Sequence, residues 1–150
     1  APFMHYGVVD RAGKLVHYVP IPLPGPRLPH DMAITKNWSI LNDMPLYWDE
    51  ALLERNIHAA RLHEGVPTRF ALIPRHGQPQ DIRWFEASPT YVLHWTNAWD
   101  DGDEVVLEGY RLALETARMT GVPLTAVTVG KSKSSIVENS SSTCRIHSTS

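Results

Sequence analysis

Thr90–Leu112, TYVLHWTNAWDDGDEVVLEGYRL, is the stretch that decides the fold. Two β-prone runs rich in valine, tyrosine and tryptophan flank Asp101-Gly102, and an Asp-Gly pair between such runs marks an antiparallel hairpin because glycine accepts the left-handed backbone of the turn. The pattern recurs along the chain. MHYGVVDRAGKLVHYVPI (4–21) turns around Asp10–Gly13, HDMAITKNWSILND (30–43) at Lys36-Asn37, and RFALIPRHGQPQDIRWFEA (69–87) around Gly77. Four hairpins make about eight strands, so the chain is all-β. Pro20, Pro22, Pro24, Pro26 and Pro29 force an extended connection between the first two hairpins, since proline donates nothing to a ladder. Leu52, Leu53, Ile57 and Ala60 lie at helical spacing behind Asp49, which predicts a short N-capped connecting helix within Trp48–Leu62. Repeated antiparallel hairpins with little helix point to a sandwich, barrel or propeller. A propeller blade takes four strands, so these hairpins supply about two blades of a ring that closes with four to eight. The expected product is an incomplete arc with open strand edges.

Composition narrows the partners. The 150-residue chain carries a formal net charge of −2, which leaves no basic footprint for nucleic acid or an anionic lipid surface. Its lone Cys144 builds neither an intramolecular disulfide nor a thiolate metal site, and a reducing, cytoplasmic setting fits. No apolar run approaches the ~20 residues that span a bilayer. Ala1-Pro2-Phe3 has neither an initiator methionine nor a basic leader, which reads as a trimmed N-terminus or an internal cut. The tripeptides at Asn37 and Asn139 match the glycosylation pattern but carry little weight without a secretion signal. Residues 131–150 hold eight serines and no aromatic residue, too little apolar surface to offset ordering, so disorder is expected there. Residues 112–130 depart from the strand pattern; Leu112–Thr120 is helix-prone and Gly121-Val122-Pro123 would stop it. The expected organisation is a strand-rich segment over 1–111, a divergent segment over 112–130 and a disordered tail over 131–150.

Of eight histidines, His30 and His94 stand out because each is read onto a strand leading into a tight hairpin, and neutral imidazoles on rigid strands are what a transition-metal site needs. Two imidazoles make half a site. Strict alternation puts Val92, Thr96 and Ala98 on the His94 face and Tyr91, Leu93, Trp95 and Trp99 on the other, leaving room for a metal beside the histidine. His76 is a weaker third candidate, since a hairpin turn holds a ligand poorly. His5, His17, His58, His63 and His147 read as surface or structural. Asp31 either orients a backbone or an imidazole or simply anchors a turn; both readings stand. Trp84, Phe85, Trp95 and Trp99 line a hydrophobic path or pack a core, and packing is the commoner role at alternating strand positions. The acidic group Asp100, Asp101, Asp103 and Glu104 lacks the spacing of a calcium loop and reads as a solvated hairpin.

Two segments carry a family resemblance. PHDMAITKNWSILNDMPL (29–46) resembles the PHDFAIT-type motif of the carotenoid cleavage oxygenases, and YVLHWTNAWDDGDEVVLEGYR (91–111) resembles their H-x-x-N-A-aromatic-acid motif with its acidic turn and following strand. RFALIPRHG and IRWFEASPTYVLH between them are similar as well, and the match runs over roughly residues 3–111. Asn97 matches the family asparagine, while Asp100 stands where many members have glutamate. The resemblance implies a seven-bladed propeller in which four histidines hold one ferrous iron, Fe(2+), with His30 and His94 as two successive ligands and the others outside the matched segment. It implies a non-haem Fe(II) dioxygenase that uses O2 to cleave a conjugated carbon–carbon double bond of a hydrophobic small molecule (a carotenoid, apocarotenoid or stilbene) to carbonyl products, as a fragment inactive alone. The alternative is a non-catalytic, truncated propeller fragment that self-associates through its open strand edges. A metal hydrolase is a third reading and lacks a carboxylate ligand.

Overall fold

The computed structural model describes residues 1–112 and the strand 143–147. Eleven strands and a single α-helical turn appear among these residues. All strand pairs are antiparallel. β1 (Met4–Val9) and β2 (Leu15–Ile21) form the first hairpin, and its Gly13 sits at φ 79° as the turn requires. β3 (Ala33–Ile34), β4 (Trp38–Asp43), β7 (Thr68–Pro74) and β8 (Arg83–Ala87) make a four-stranded sheet in that order. β9 (Tyr91–Asp101) and β10 (Glu104–Leu112) form the last hairpin, with Gly102 at φ 58°. All four expected hairpins are present.

The four-stranded sheet is buried on both faces. Ile40, Phe70 and Leu72 point into one apolar cluster with Val92, Val105 and Leu107 of the last hairpin. Leu41, Ala71 and Ile73, one residue out of phase, point into a second cluster with Tyr6, Val19 and Ile21 of the first hairpin. β7 therefore carries a continuous apolar run over Phe70–Ile73 and β4 sets Ile40 and Leu41 side by side, where a one-faced strand would alternate. One whole sheet lies between two hairpins, so the strands worth about two blades are spread over three layers. The outer faces of the flanking hairpins are uncovered, with Val9 60% and Tyr18 59% exposed.

A buried ion cluster locks the proline-rich connection to the sheet. The Asp43 carboxylate, 4% exposed, accepts Arg27 Nε at 2.8 Å on one oxygen and Arg69 Nε at 2.7 Å on the other. Arg27 also lies over the Tyr47 ring and Arg69 over the Trp84 ring.

Two expectations need correction. The connecting helix α1 covers only Glu50–Leu53, capped by the Asp49 carboxylate on Leu52 N–H as expected. Asn56 at φ 58° then reverses the chain, and β6 (Ala60–Leu62) pairs back on β5 (Leu46–Trp48), so Ile57 and Ala60 are not helical. β11 (Thr143–His147), inside the segment expected to be disordered, pairs with the edge of β10 that β9 leaves free. The rest of that tail and the expected helix beyond Leu112 lie outside the described residues. No described helix is long and apolar enough to cross a membrane.

Candidate metal centre

His30 and His94, 64 residues apart in sequence, stand with ring centroids 5.0 Å apart and ring planes at 64°. His94 is on β9, as expected. His30 is not on a strand; it lies in the connection three residues ahead of β3. Both side chains are exposed, and no hydrogen bond engages their ring nitrogens among the described residues.

The alternation expected around His94 fails because β9 is bulged at Leu93-His94 and again at Thr96. Pairing runs Asn97 with Glu108, Trp95 with Gly109 and Val92 with Arg111, so β9 carries one extra residue at Thr96 and another between Val92 and Trp95. Each extra residue flips the phase. Val92, Trp95 and Ala98, three apart, all pack on the core cluster, while Leu93, His94, Thr96 and Asn97 are exposed. Gly109 makes the bulge possible. A Cβ there would stand 2.4 Å from Cε3 of Trp95, so only glycine leaves space for the indole, which packs edge-on to Phe70 with centroids 5.8 Å apart. Trp95, Trp84 and Phe85 all pack against the core clusters, and the packing role holds for these three.

Two ties hold the connection bearing His30 against β9, and a third holds the β3–β4 turn beyond it. The Tyr91 hydroxyl donates to Leu28 O at 3.1 Å, and burial raises the phenol pKa above its ordinary value. Trp95 N–H donates to Asp31 Oδ2 at 2.9 Å. Asp100 accepts Thr35 Oγ1 on one oxygen and both the backbone N–H and the side-chain amide of Asn37 on the other. Asp100 thus fastens the β3–β4 turn to β9. Nothing in the sequence singles out Thr35 or Asn37 as its partners.

His76 belongs elsewhere. Its ring is 5.8 Å from that of His17, whose Nε2 is bound to Gly77 O at 3.0 Å. His5 stacks on Tyr18, His63 on Tyr47, and His58 meets Trp48 edge-on. No group of three or more histidine, cysteine, aspartate or glutamate side chains gathers as a metal cage among the described residues.

The spacing of the two rings is compatible with neighbouring ligands on one metal ion. A nitrogen–metal bond of about 2.1 Å, the value for zinc, puts a ligating ring centroid ~3.2 Å from the ion, so two rings ~90–110° apart at the ion lie about 4.5–5.2 Å from each other. The observed 5.0 Å falls in that range. A cavity of about 300 Å³ opens beside His30, lined by Met4, Met32, Leu41 and Asn42 among others.

The family model described as retinal pigment epithelial membrane protein matches residues 1–147. The chain belongs to this family, the carotenoid oxygenases. It is 36% identical over 113 residues to a carotenoid 9,10(9',10')-cleavage dioxygenase of Crocus sativus, covering 74% of this chain and 21% of that protein. It is 37% identical over 108 residues to an isoeugenol monooxygenase of Pseudomonas putida, covering 70% of this chain and 22% of that one. The crystal structure of Pseudomonas brassicacearum lignostilbene dioxygenase superposes with a TM-score of 0.64 at 27% identity, over 71% of this chain and 22% of that structure. The chain spans about a fifth of the length of the curated relatives it matches. Its antiparallel sheets are part of a carotenoid oxygenase propeller.

Proposed function

We propose that this segment supplies two adjacent ligands, His30 and His94, to a non-haem Fe(II) dioxygenase that cleaves a conjugated carbon–carbon double bond of a carotenoid, apocarotenoid or stilbene. The observation that carries the proposal is the 5.0 Å approach of two exposed imidazoles whose ring nitrogens have no other partner among the described residues. Bound ferrous iron held by neutral imidazoles alone would keep its full charge and open positions, and so supply the site where O2 and the double bond meet. His30 and His94 bind through neutral nitrogens, the bulged β9 turns His94 away from the core, and Met4, Met32 and Leu41 present apolar surface beside His30. The polyene-or-stilbene substrate class rests on what the named relatives act on. The remaining ligands lie outside this segment, so the 150-residue chain alone binds ferrous iron weakly and does not turn over. A cytoplasmic setting is part of the same proposal and rests on the single cysteine.

In the longer protein that carries this segment, His94→Ala abolishes iron retention and cleavage, while His76→Ala leaves both within about twofold of wild type. Equal losses at the two positions would sink the ligand assignment. A second reading, association of a non-catalytic segment through open edges, is favoured by the uncovered Val9, Leu15 and Tyr18. Concentration-dependent dimerisation of a chain that never retains iron would support it.

A further inference from the structure

His30 sits on no strand, yet its ring is held against that of a histidine 64 residues away. The residue after each histidine explains this. Asp31 follows His30 and Trp95 follows His94, and the Asp31 carboxylate joins the two backbones. Its Oδ1 accepts Met32 N–H at 2.8 Å and its Oδ2 accepts Trp95 N–H at 2.9 Å. On the other side, Asp31 O accepts the side-chain amide of Asn42, a buried residue of β4, at 2.6 Å. Trp95 is fixed in turn by the Gly109 gap and by Phe70. The His30 backbone is thereby referred to β4 on one side and to the bulge bearing His94 on the other.

We propose that Asp31 is the positioning residue that sets the spacing of His30 and His94, and with it the bite of the pair on a divalent metal. The metal part of this rests on the function proposed above; the spacing part does not. A carboxylate suits the role because its two oxygens accept two N–H groups from different segments at once. An asparagine offers a single acceptor oxygen and turns an N–H2 group toward the second donor, and alanine offers nothing. Asp31 touches neither imidazole by a hydrogen bond in the described residues, so it acts through the backbones it joins.

Asp100 provides the matched control. It is a carboxylate of the same charge that ties the β3–β4 turn to the same strand β9, on the side of β3 away from the histidines. The test uses the 150-residue chain, metal-free, as wild type, Asp31→Ala, Asp31→Asn and Asp100→Ala. Two NMR readouts apply: the through-space contact between the His30 and His94 ring protons, and exchange of the Trp95 amide. In wild type and Asp100→Ala the ring contact is present. In Asp31→Ala it is lost and the Trp95 amide exchanges at least about tenfold faster, while the unfolding midpoint stays close to that of Asp100→Ala. Asp31→Asn falls between, and it carries the test should the alanine variant not fold. Titration with cobalt(II), read by its visible absorption, then shows affinity lowered about tenfold or more in Asp31→Ala and unchanged in Asp100→Ala.

An intact ring contact in Asp31→Ala, or equal loss in Asp100→Ala, would overturn the positioning role. A ring contact that depends on Asp31 in a chain that takes up no cobalt would leave the positioning role standing and count against the metal reading. Tight cobalt binding indifferent to Asp31 would do the reverse.

Discussion

Two pairs of histidines approach each other among the described residues, and their rings alone hardly distinguish them: 5.0 Å and 64° for His30 and His94, 5.8 Å and 69° for His17 and His76. Their surroundings differ. His17 is half-buried and its Nε2 is bound to Gly77 O, so this pair closes the turn between β7 and β8 over the first hairpin. His30 and His94 are exposed and have no ring hydrogen bond among the described residues, their backbones are tied to each other, and His30 lines a cavity. Proximity of two imidazoles therefore says little about metal binding. Free nitrogens on a fixed backbone are what separate a ligand pair from a structural one.

The largest effect is expected where both pairs share a footing. Asp43→Ala strands Arg27 and Arg69 beside a largely buried site, and removing one partner of a buried ion pair costs about 3–5 kcal/mol. Urea unfolding of the variant measures it. A loss below about 1 kcal/mol would mean that the cluster is solvated and that the connection leading to His30 is held by other contacts.

A smaller and more selective effect belongs to Gly109. In Gly109→Ala the new Cβ overlaps the Trp95 ring, so the indole or the bulge must shift, and overpacking of this kind costs about 1–3 kcal/mol. The ring contact of His30 with His94 should weaken and that of His17 with His76 should not, both read from NMR of the variant. Disturbance of both pairs alike would mean that the two regions are not independent.

The smallest effect is on the structural pair. His17→Ala removes one bond to Gly77 O and should cost about 0.5–1.5 kcal/mol by thermal or urea unfolding, with no change in metal retention. Lower metal retention would break the distinction between the pairs.

The turns were legible in the sequence because glycine announces them: Gly13 and Gly102 both have positive φ, where other residues are strained. The β5–β6 pair was not, because Leu52, Leu53 and Ile57 keep helical spacing while the reversal hangs on Asn56 in a left-handed conformation. His30 and His94 were visible through their motifs. The face His94 presents was not, since alternation assumes an unbroken pleat and β9 is bulged at that histidine and again at Thr96. Gly109 was the signal that strand interior gave, a residue that packs nothing and marks a bulge or a close approach. Asp31 stands out beside His30 in the sequence, but its partner, the Trp95 backbone N–H, is 64 residues on and leaves no trace in side-chain pattern.

The most direct test of the ligand pair is the iron content of the longer protein that carries this segment, after anaerobic ferrous loading and desalting, with His30→Ala, His94→Ala, His17→Ala and His76→Ala alongside. Iron retained by wild type, His17→Ala and His76→Ala but lost to background in His30→Ala and His94→Ala is the result expected. Iron that is retained equally in all five proteins, or lost equally on changing either pair, would contradict the assignment of His30 and His94.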